Sequence, residues 1–181
     1  MGQTNEATLI VKGGAVSRPV QCFSSQPLEL VVSSLGPFIL NGNSLNEIGL
    51  LLKPKSAVVQ QSILNIVDAQ TKILLSSWMI ISRSHNPKVT KSFDITCKKG
   101  KTNSKRVSYT NPYATRKILY LKTDAEDLVS FKEPYLDLEP GASKYIGLVF
   151  LPCWGLGAEI YVFLNDEHDR SEEVLHIKVK Y

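Results

Sequence analysis

Three histidines, three cysteines and one dense run of lysines are the side chains of this 181-residue chain with chemistry to offer. The histidines support no reaction. His85 falls in a linker, His168 in a hairpin loop and His176 on the polar face of a strand, where histidine serves as an ordinary surface residue. No nucleophile–base pair can be named, so no catalytic residue is nominated. Neither Cys-x-x-Cys nor paired-histidine spacing occurs, so no metal or cofactor is expected. Asp166, Glu167, Asp169, Glu172 and Glu173 form an acidic loop without the order of a calcium-binding loop. Gly155-Leu156-Gly157 joins two strands and opens no helix, so it is not a phosphate cradle. Cys22, Cys97 and Cys153 are odd in number and widely spaced. A Cys97–Cys153 bridge or free thiols would fit, and a reducing compartment with free thiols is the preferred reading.

The lysines are more informative. Lys88, Lys91, Lys98, Lys99, Lys101, Lys105 and Arg106 stand against one acid, Asp94. Such a run either keeps a loop solvated or grips phosphates and acidic partners. It holds few aromatics to stack bases, and the net charge is only +4, which argues against nucleic acid. Lys98, Lys99, Lys101, Lys105 and Arg106 are therefore candidate partner-binding residues. Trp154, beside Gly155, is either a partner anchor or a cap over the end of a core.

What positions these residues is a repeat. Ile48-Gly49-Leu50-Leu51-Leu52-Lys53-Pro54 recurs as Ile146-Gly147-Leu148-Val149-Phe150-Leu151-Pro152, 98 residues later. Asn41-Gly42-Asn43 falls opposite Glu139-Pro140-Gly141, and Asp68 opposite Asp166. A period of about 100 residues is that of a whole β-sandwich rather than a solenoid unit. Period-two alternation supports strands at Ile146–Phe150, Ile160–Leu164 and Leu175–Tyr181. Further strands are expected at Arg106–Thr110, Lys117–Lys122 and Tyr135–Leu138, with a helical turn at Asp124–Val129. In the first half they are expected at Thr8–Lys12, Val20–Ser24, Leu28–Val32, Pro37–Leu40, Glu47–Lys53, Ser62–Val67 and Ile73–Ser82. The last of these is apolar on both faces and calls for a second cover, so Trp78 and Ile80 are expected to pack between domains.

The expected fold is all-β, with two tandem immunoglobulin-like, major sperm protein-like sandwiches of about seven strands each. The first spans residues 1–86 and the second residues 87–181, with the boundary in Arg83-Ser84-His85-Asn86-Pro87. Met1 to Ala7 lacks the apolar core of a secretory signal, and Glu6 stands where a myristoylation signal needs Ser or Thr. No run approaches the roughly 18 apolar residues of a membrane span. Neither is there an Asn-x-Ser/Thr glycosylation site, in keeping with a cytoplasmic location.

Asn111-Pro112, Lys122-Thr123 and Pro140-Gly141-Ala142-Ser143, in that order, resemble the major sperm protein domain family. Lys105 to Tyr113 and the closing hairpin from Ile160 to Asp169 resemble the C-terminal end of the nephrocystin-4 family. That likeness covers Ser77 to Tyr181 well and the first 75 residues more weakly. It implies a non-enzymatic scaffold of the ciliary transition zone, basal body and cytoskeleton, with no small-molecule substrate. The implied partners are nephrocystin-1 and proteins of the retinitis pigmentosa GTPase regulator-interacting type. The major sperm protein likeness implies an alternative, the binding of short acidic two-phenylalanine peptides in organelle tethering, with Lys122 as a contact. Against it, Glu159 stands where that family places a lysine, and it would repel an acidic peptide.

Overall fold

The structure is a computed structural model and describes residues 1–34 and 36–181. Regular structure among them is entirely β, so no helix is long and apolar enough to cross a membrane. The chain divides into two compact units. One comprises Met1 and Gln3–Asn86, the other Gly2 and Pro87–Tyr181.

Among the described residues the first unit has seven strands: β1 (Asn5–Lys12), β2 (Arg18–Ser24), β3 (Leu30–Val32), β4 (Phe38–Leu40), β5 (Leu45–Leu52), β6 (Val59–Asp68) and β7 (Leu74–Arg83). They form two sheets, ordered β1-β5-β3 and β4-β2-β6-β7. Alternation sends Ile48, Leu50, Leu64 and Ile66 into one core with Val11, Val20, Leu30 and Leu40. Trp78 and Ile80 pack half-buried against that same core, so their face of β7 belongs to their own sandwich. The other face leaves Met79 63% and Ile81 61% exposed.

The second unit has eight strands: β8 (Lys91–Thr96), β9 (Asn103–Thr110), β10 (Lys117–Thr123), β11 (Val129–Phe131), β12 (Tyr135–Leu138), β13 (Ser143–Phe150), β14 (Gly157–Asn165) and β15 (Ser171–Lys180). The sheets are ordered β12-β10-β14-β15-β8 and β11-β13-β9. Ile146, Leu148, Phe150, Ile160, Val162, Leu164, Leu175 and Ile177 are completely buried between them. The eighth strand is β8, which lies within the lysine run and pairs parallel to β15. Only Phe93 and Ile95 alternate there, too weak a pattern to stand out among charges. Asp124–Val129 is one turn closed on the Ala125 carbonyl by the N–H groups of Leu128 and Val129, not a helix. Phe163 is buried although alternation points it outward, because Gly2 of the same unit lies against its ring.

The repeat is structural. Asn43 and Gly141 occupy the same turn position with φ of 53° and 69°, the left-handed region open to glycine and, at modest cost, asparagine. Asp68 Oδ1 accepts the N–H groups of Gln70 and Thr71, while Asp166 Oδ1 accepts those of His168 and Arg170. Each aspartate thereby fixes the turn before the last strand of its sandwich. The turns before β5 and β13 are pinned by reciprocal residues. In the second unit, buried Asn111 donates from Nδ2 to the carbonyls of Thr115, Leu138 and Glu139. The residue in that place in the first unit is Gly13, where a Cβ would lie 1.9 Å from the Asn41 carbonyl oxygen. There Asn46 does the pinning, from β5, donating to the carbonyls of Val11, Asn41 and Ser44.

Candidate partner-binding surface

The lysine run folds into a loop and the strand that follows it. Lys98, Lys99 and Lys101 lie in the β8–β9 loop, and Lys105 and Arg106 lie on β9. Asn103 shapes the loop: its Oδ1 accepts the Lys98 N–H, and its Nδ2 donates to the carbonyls of Lys98 and Lys101. Gly100 sits at φ +64° and donates its N–H to the Cys153 carbonyl at 2.9 Å. The Trp154 ring lies across Gly100, where a Cβ would stand 2.5 Å from it. Even so, Trp154 is 80% and Leu156 87% exposed. The ring is thus both a cap on the loop and an open apolar surface among lysines. Burial pushes the Cys97 thiol up, against the opposing charge of Lys105.

Along β9, about 10 Å beyond Asn103 at the strand rise of roughly 3.4 Å per residue, is a shallow cleft. Its volume is about 300 Å³, and it is lined by Lys105, Arg106, Lys132, Glu133, Tyr145 and Gly147. Gly147 makes it. Lys132 donates its N–H to the Gly147 carbonyl, and its aliphatic stem occupies the space a side chain on Gly147 would need, at 2.8 Å from the ideal Cβ. Arg106 is registered directly across from Gly147, with its guanidinium 4.6 Å from the centre of the Tyr145 ring. That contact contributes about 0.5–1 kcal/mol at an exposed site and holds the cation in place. Among the described residues, neither Arg106 nor Lys132 has an ion-pair partner within 4.0 Å. Two cations without an ion pair thus meet at Gly147, with Glu133 in the same lining.

The structure therefore brings Lys98, Lys99, Lys101, Lys105 and Arg106 onto one loop–strand unit and adds Lys132, Tyr145, Gly147 and Trp154. Lys132 escaped the sequence reading because it lies 26 residues from Arg106 on a three-residue strand's exit. The recurrence of Gly49 as Gly147 within the repeat is the one signal in the sequence that marks this place. Lys122 lies elsewhere, on β10 of the opposite sheet, ion-paired with Asp169. Further along that sheet, Glu159 stands 3.3 Å from His176 Nε2, and His176 stacks on Tyr161 at 5.0 Å. Lys122 and Glu159 on that sheet are thus each engaged by a neighbour within the fold. Trp78 and Ile80 are in the first unit, on its core. The three cysteines are free thiols.

Residues 1–85 match the family model described as NPH4 Ig-like domain 3, and residues 90–181 match NPH4 Ig-like domain 4. The chain is 37% identical to nephrocystin-4 of Xenopus laevis and 32% identical to nephrocystin-4 of Homo sapiens, in each case over 99% of its own length. It spans 13% of the length of these relatives. Among solved structures, a protein of unknown function from Porphyromonas gingivalis W83 aligns over 98% of this chain and 92% of its own, at 13% identity and a TM-score of 0.43. The chain belongs to the nephrocystin-4 immunoglobulin-like domain family and carries two successive domains of it.

Proposed function

We propose that this tandem is a non-catalytic protein-interaction module of a nephrocystin-4-type scaffold at the ciliary base, and that the second sandwich binds an acidic partner segment along β9. The observation that carries the reading is the pair Arg106 and Lys132, held across Gly147 with neither of them in an ion pair among the described residues. Partner carboxylates would meet these two cations and Lys105. An apolar side chain of the same segment would meet Trp154 and Leu156, with Lys98, Lys99 and Lys101 as the charged rim. By family resemblance, the partners are nephrocystin-1 and proteins of the retinitis pigmentosa GTPase regulator-interacting type. The acidic two-phenylalanine peptide mode is disfavoured by Glu159 and by the pairing of Lys122 with Asp169.

Association kinetics of the full chain with nephrocystin-1 test the proposal. Reversing Lys98, Lys99, Lys101, Lys105 and Arg106 together should slow association at least about tenfold at low salt and flatten its salt dependence. Unchanged kinetics in the reversed variant would remove the assignment.

A further inference from the structure

The cleft at Gly147 selects among anions by its donors. Arg106 makes no ion pair among the described residues, so its guanidinium N–H fork is not committed to a carboxylate. Tyr145 holds that guanidinium at 4.6 Å from its ring centre. Lys132 comes from the other neighbour of β13. It follows β11, and its Cβ, Cγ and Cδ all lie within 3.0 Å of the ideal Cβ position on Gly147. Its stem therefore lies across β13, in the cleft that Arg106 also lines. Ser104 adds a hydroxyl to this lining, and Glu133 one carboxylate.

A partner carboxylate would bring one charge and two oxygens to two cations, in a lining that already holds Glu133. A phosphate monoester brings nearly two charges and three terminal oxygens. Two of these can accept from the Arg106 fork, and the third from the Lys132 ammonium or the Ser104 hydroxyl. The surroundings fit one such group rather than a membrane surface. On the outward face Ser108 is registered across from Tyr145, and Ser104 and Ser130 are both registered across from Val149. These three serines are exposed and present hydroxyls, not further cations. Attraction to an anionic bilayer builds on clusters of about 4–8 basic residues. An extended chain lying along β9 needs only to set one side chain over Gly147.

We propose that the acidic segment bound along β9 is a phosphorylated one, and that its phosphoserine or phosphothreonine seats the phosphate beside Gly147, between Arg106 and Lys132. The inference rests on the reading of β9 as an acidic-partner surface and adds to it the modification that the partner must carry. Phosphorylation of the segment thereby sets its affinity, while Lys98, Lys99 and Lys101 meet the flanking acids.

The test titrates the full chain with two labelled, capped peptides: six glutamates with phosphoserine at the centre, and octaglutamate. At about pH 7.5 the two carry nearly equal charge, because the phosphate counts for almost two. The parent should bind the phosphopeptide at least about tenfold more tightly. Arg106→Lys keeps the charge but removes the fork, and should shrink that preference to about twofold or less. Amide shifts on adding phosphopeptide should be largest at Arg106, Lys132 and Gly147. Equal affinity of the parent for the two peptides overturns this inference and leaves the acidic-partner reading standing. Failure of both peptides to bind overturns the two together. A preference that survives Arg106→Lys, or shifts confined to Lys98, Lys99 and Lys101, also overturns it, because the phosphate would then sit elsewhere. Vesicles of phosphatidylcholine and phosphatidylinositol 4-phosphate should not displace the phosphopeptide at equal phosphate concentration. Displacement by them overturns the inference in favour of a lipid headgroup.

Discussion

At Gly49 the first sandwich sets Thr8 and Ser33 beside bare backbone, and at Gly147 the second sets Arg106 and Lys132. The frame is the same to the hydrogen bond. Ser33 donates its N–H to the Gly49 carbonyl at 2.9 Å, and Lys132 does so to the Gly147 carbonyl at 3.0 Å. The glycine is structural in both copies, because a side chain from the neighbouring strand exit crosses it. What differs is the charge of that side chain and of the residue opposite. The comparison separates the part of the repeat that builds a sandwich from the part that builds a surface. Backbone geometry is held while the side chains laid on it are free to change, which is how unrelated surfaces come to share one fold.

The largest test of the shared frame lies in the cores. Phe150 is completely buried, and its counterpart Leu52 is half-buried. Phe150→Ala should cost about 3–5 kcal/mol and Leu52→Ala about 2 kcal/mol or less, read from urea unfolding of the full chain. Equal losses would mean that the two cores are equally closed.

Next is the exchanged asparagine. Asn111→Ala strands three carbonyls and should cost about 1–3 kcal/mol. Asn111→Gly combined with Lys144→Asn installs the arrangement of Gly13 and Asn46 in the second sandwich. It should recover most of that loss in the same urea measurement. A double variant no more stable than Asn111→Gly alone would show that the two pins are not interchangeable.

Acid tests the paired turns. The N–H groups of Thr71 and Gln70 hold the Asp68 carboxyl below the usual carboxylate range. Burial pushes Asp166 up, but the N–H groups of Arg170 and His168 and the Arg170 side chain outweigh it, and its carboxyl is also held low. A depressed carboxyl contributes stability that is complete above its unfolded value, near 3.9, and is lost as pH falls through the folded one. Both sandwiches should therefore lose stability below about pH 4, and Asp68→Asn should flatten that loss in the first alone. A single acid transition unaffected by Asp68→Asn would contradict the equivalence. The smallest expected effect is at Gly147. Gly147→Ala presses on the Lys132 stem, with Cδ 2.8 Å and the backbone-fixed Cβ 3.0 Å from the added methyl, and should cost about 0.5–1 kcal/mol.

Much of this was legible in the chain. The sequence located thirteen of the fifteen strands among the described residues in whole or part, because one buried face per strand leaves a period-two trace, and the three-residue β11 fell where a helical turn was expected. β8 was hidden because its two apolar residues sit among Lys91, Asp94 and the lysines that follow. The apolar stretch of β7 was read as doubly covered, whereas its inner side chains serve their own core and its outer face stays exposed. At the surface, Lys105 and Arg106 were visible from charge density alone. Lys132, Tyr145 and Trp154 were not assigned to the same place, because pairing of β13 with β9 and β11 brings them there from distant parts of the sequence. Lys122 shows the converse. A motif match placed it at a binding face, and its ion pair with Asp169 uses its charge inside the fold.

The central claim is that one sandwich carries an anion-directed surface on a frame the other leaves neutral. Its most direct test is titration of the full chain with a fluorescently labelled octaglutamate peptide at several salt concentrations. Arg106→Glu with Lys132→Glu should weaken binding at least about tenfold at low salt and reduce its salt dependence, while Lys122→Ala should leave both as in the parent. Parent-like affinity and salt dependence in the double reversal, or an equal loss with Lys122→Ala, would contradict the account.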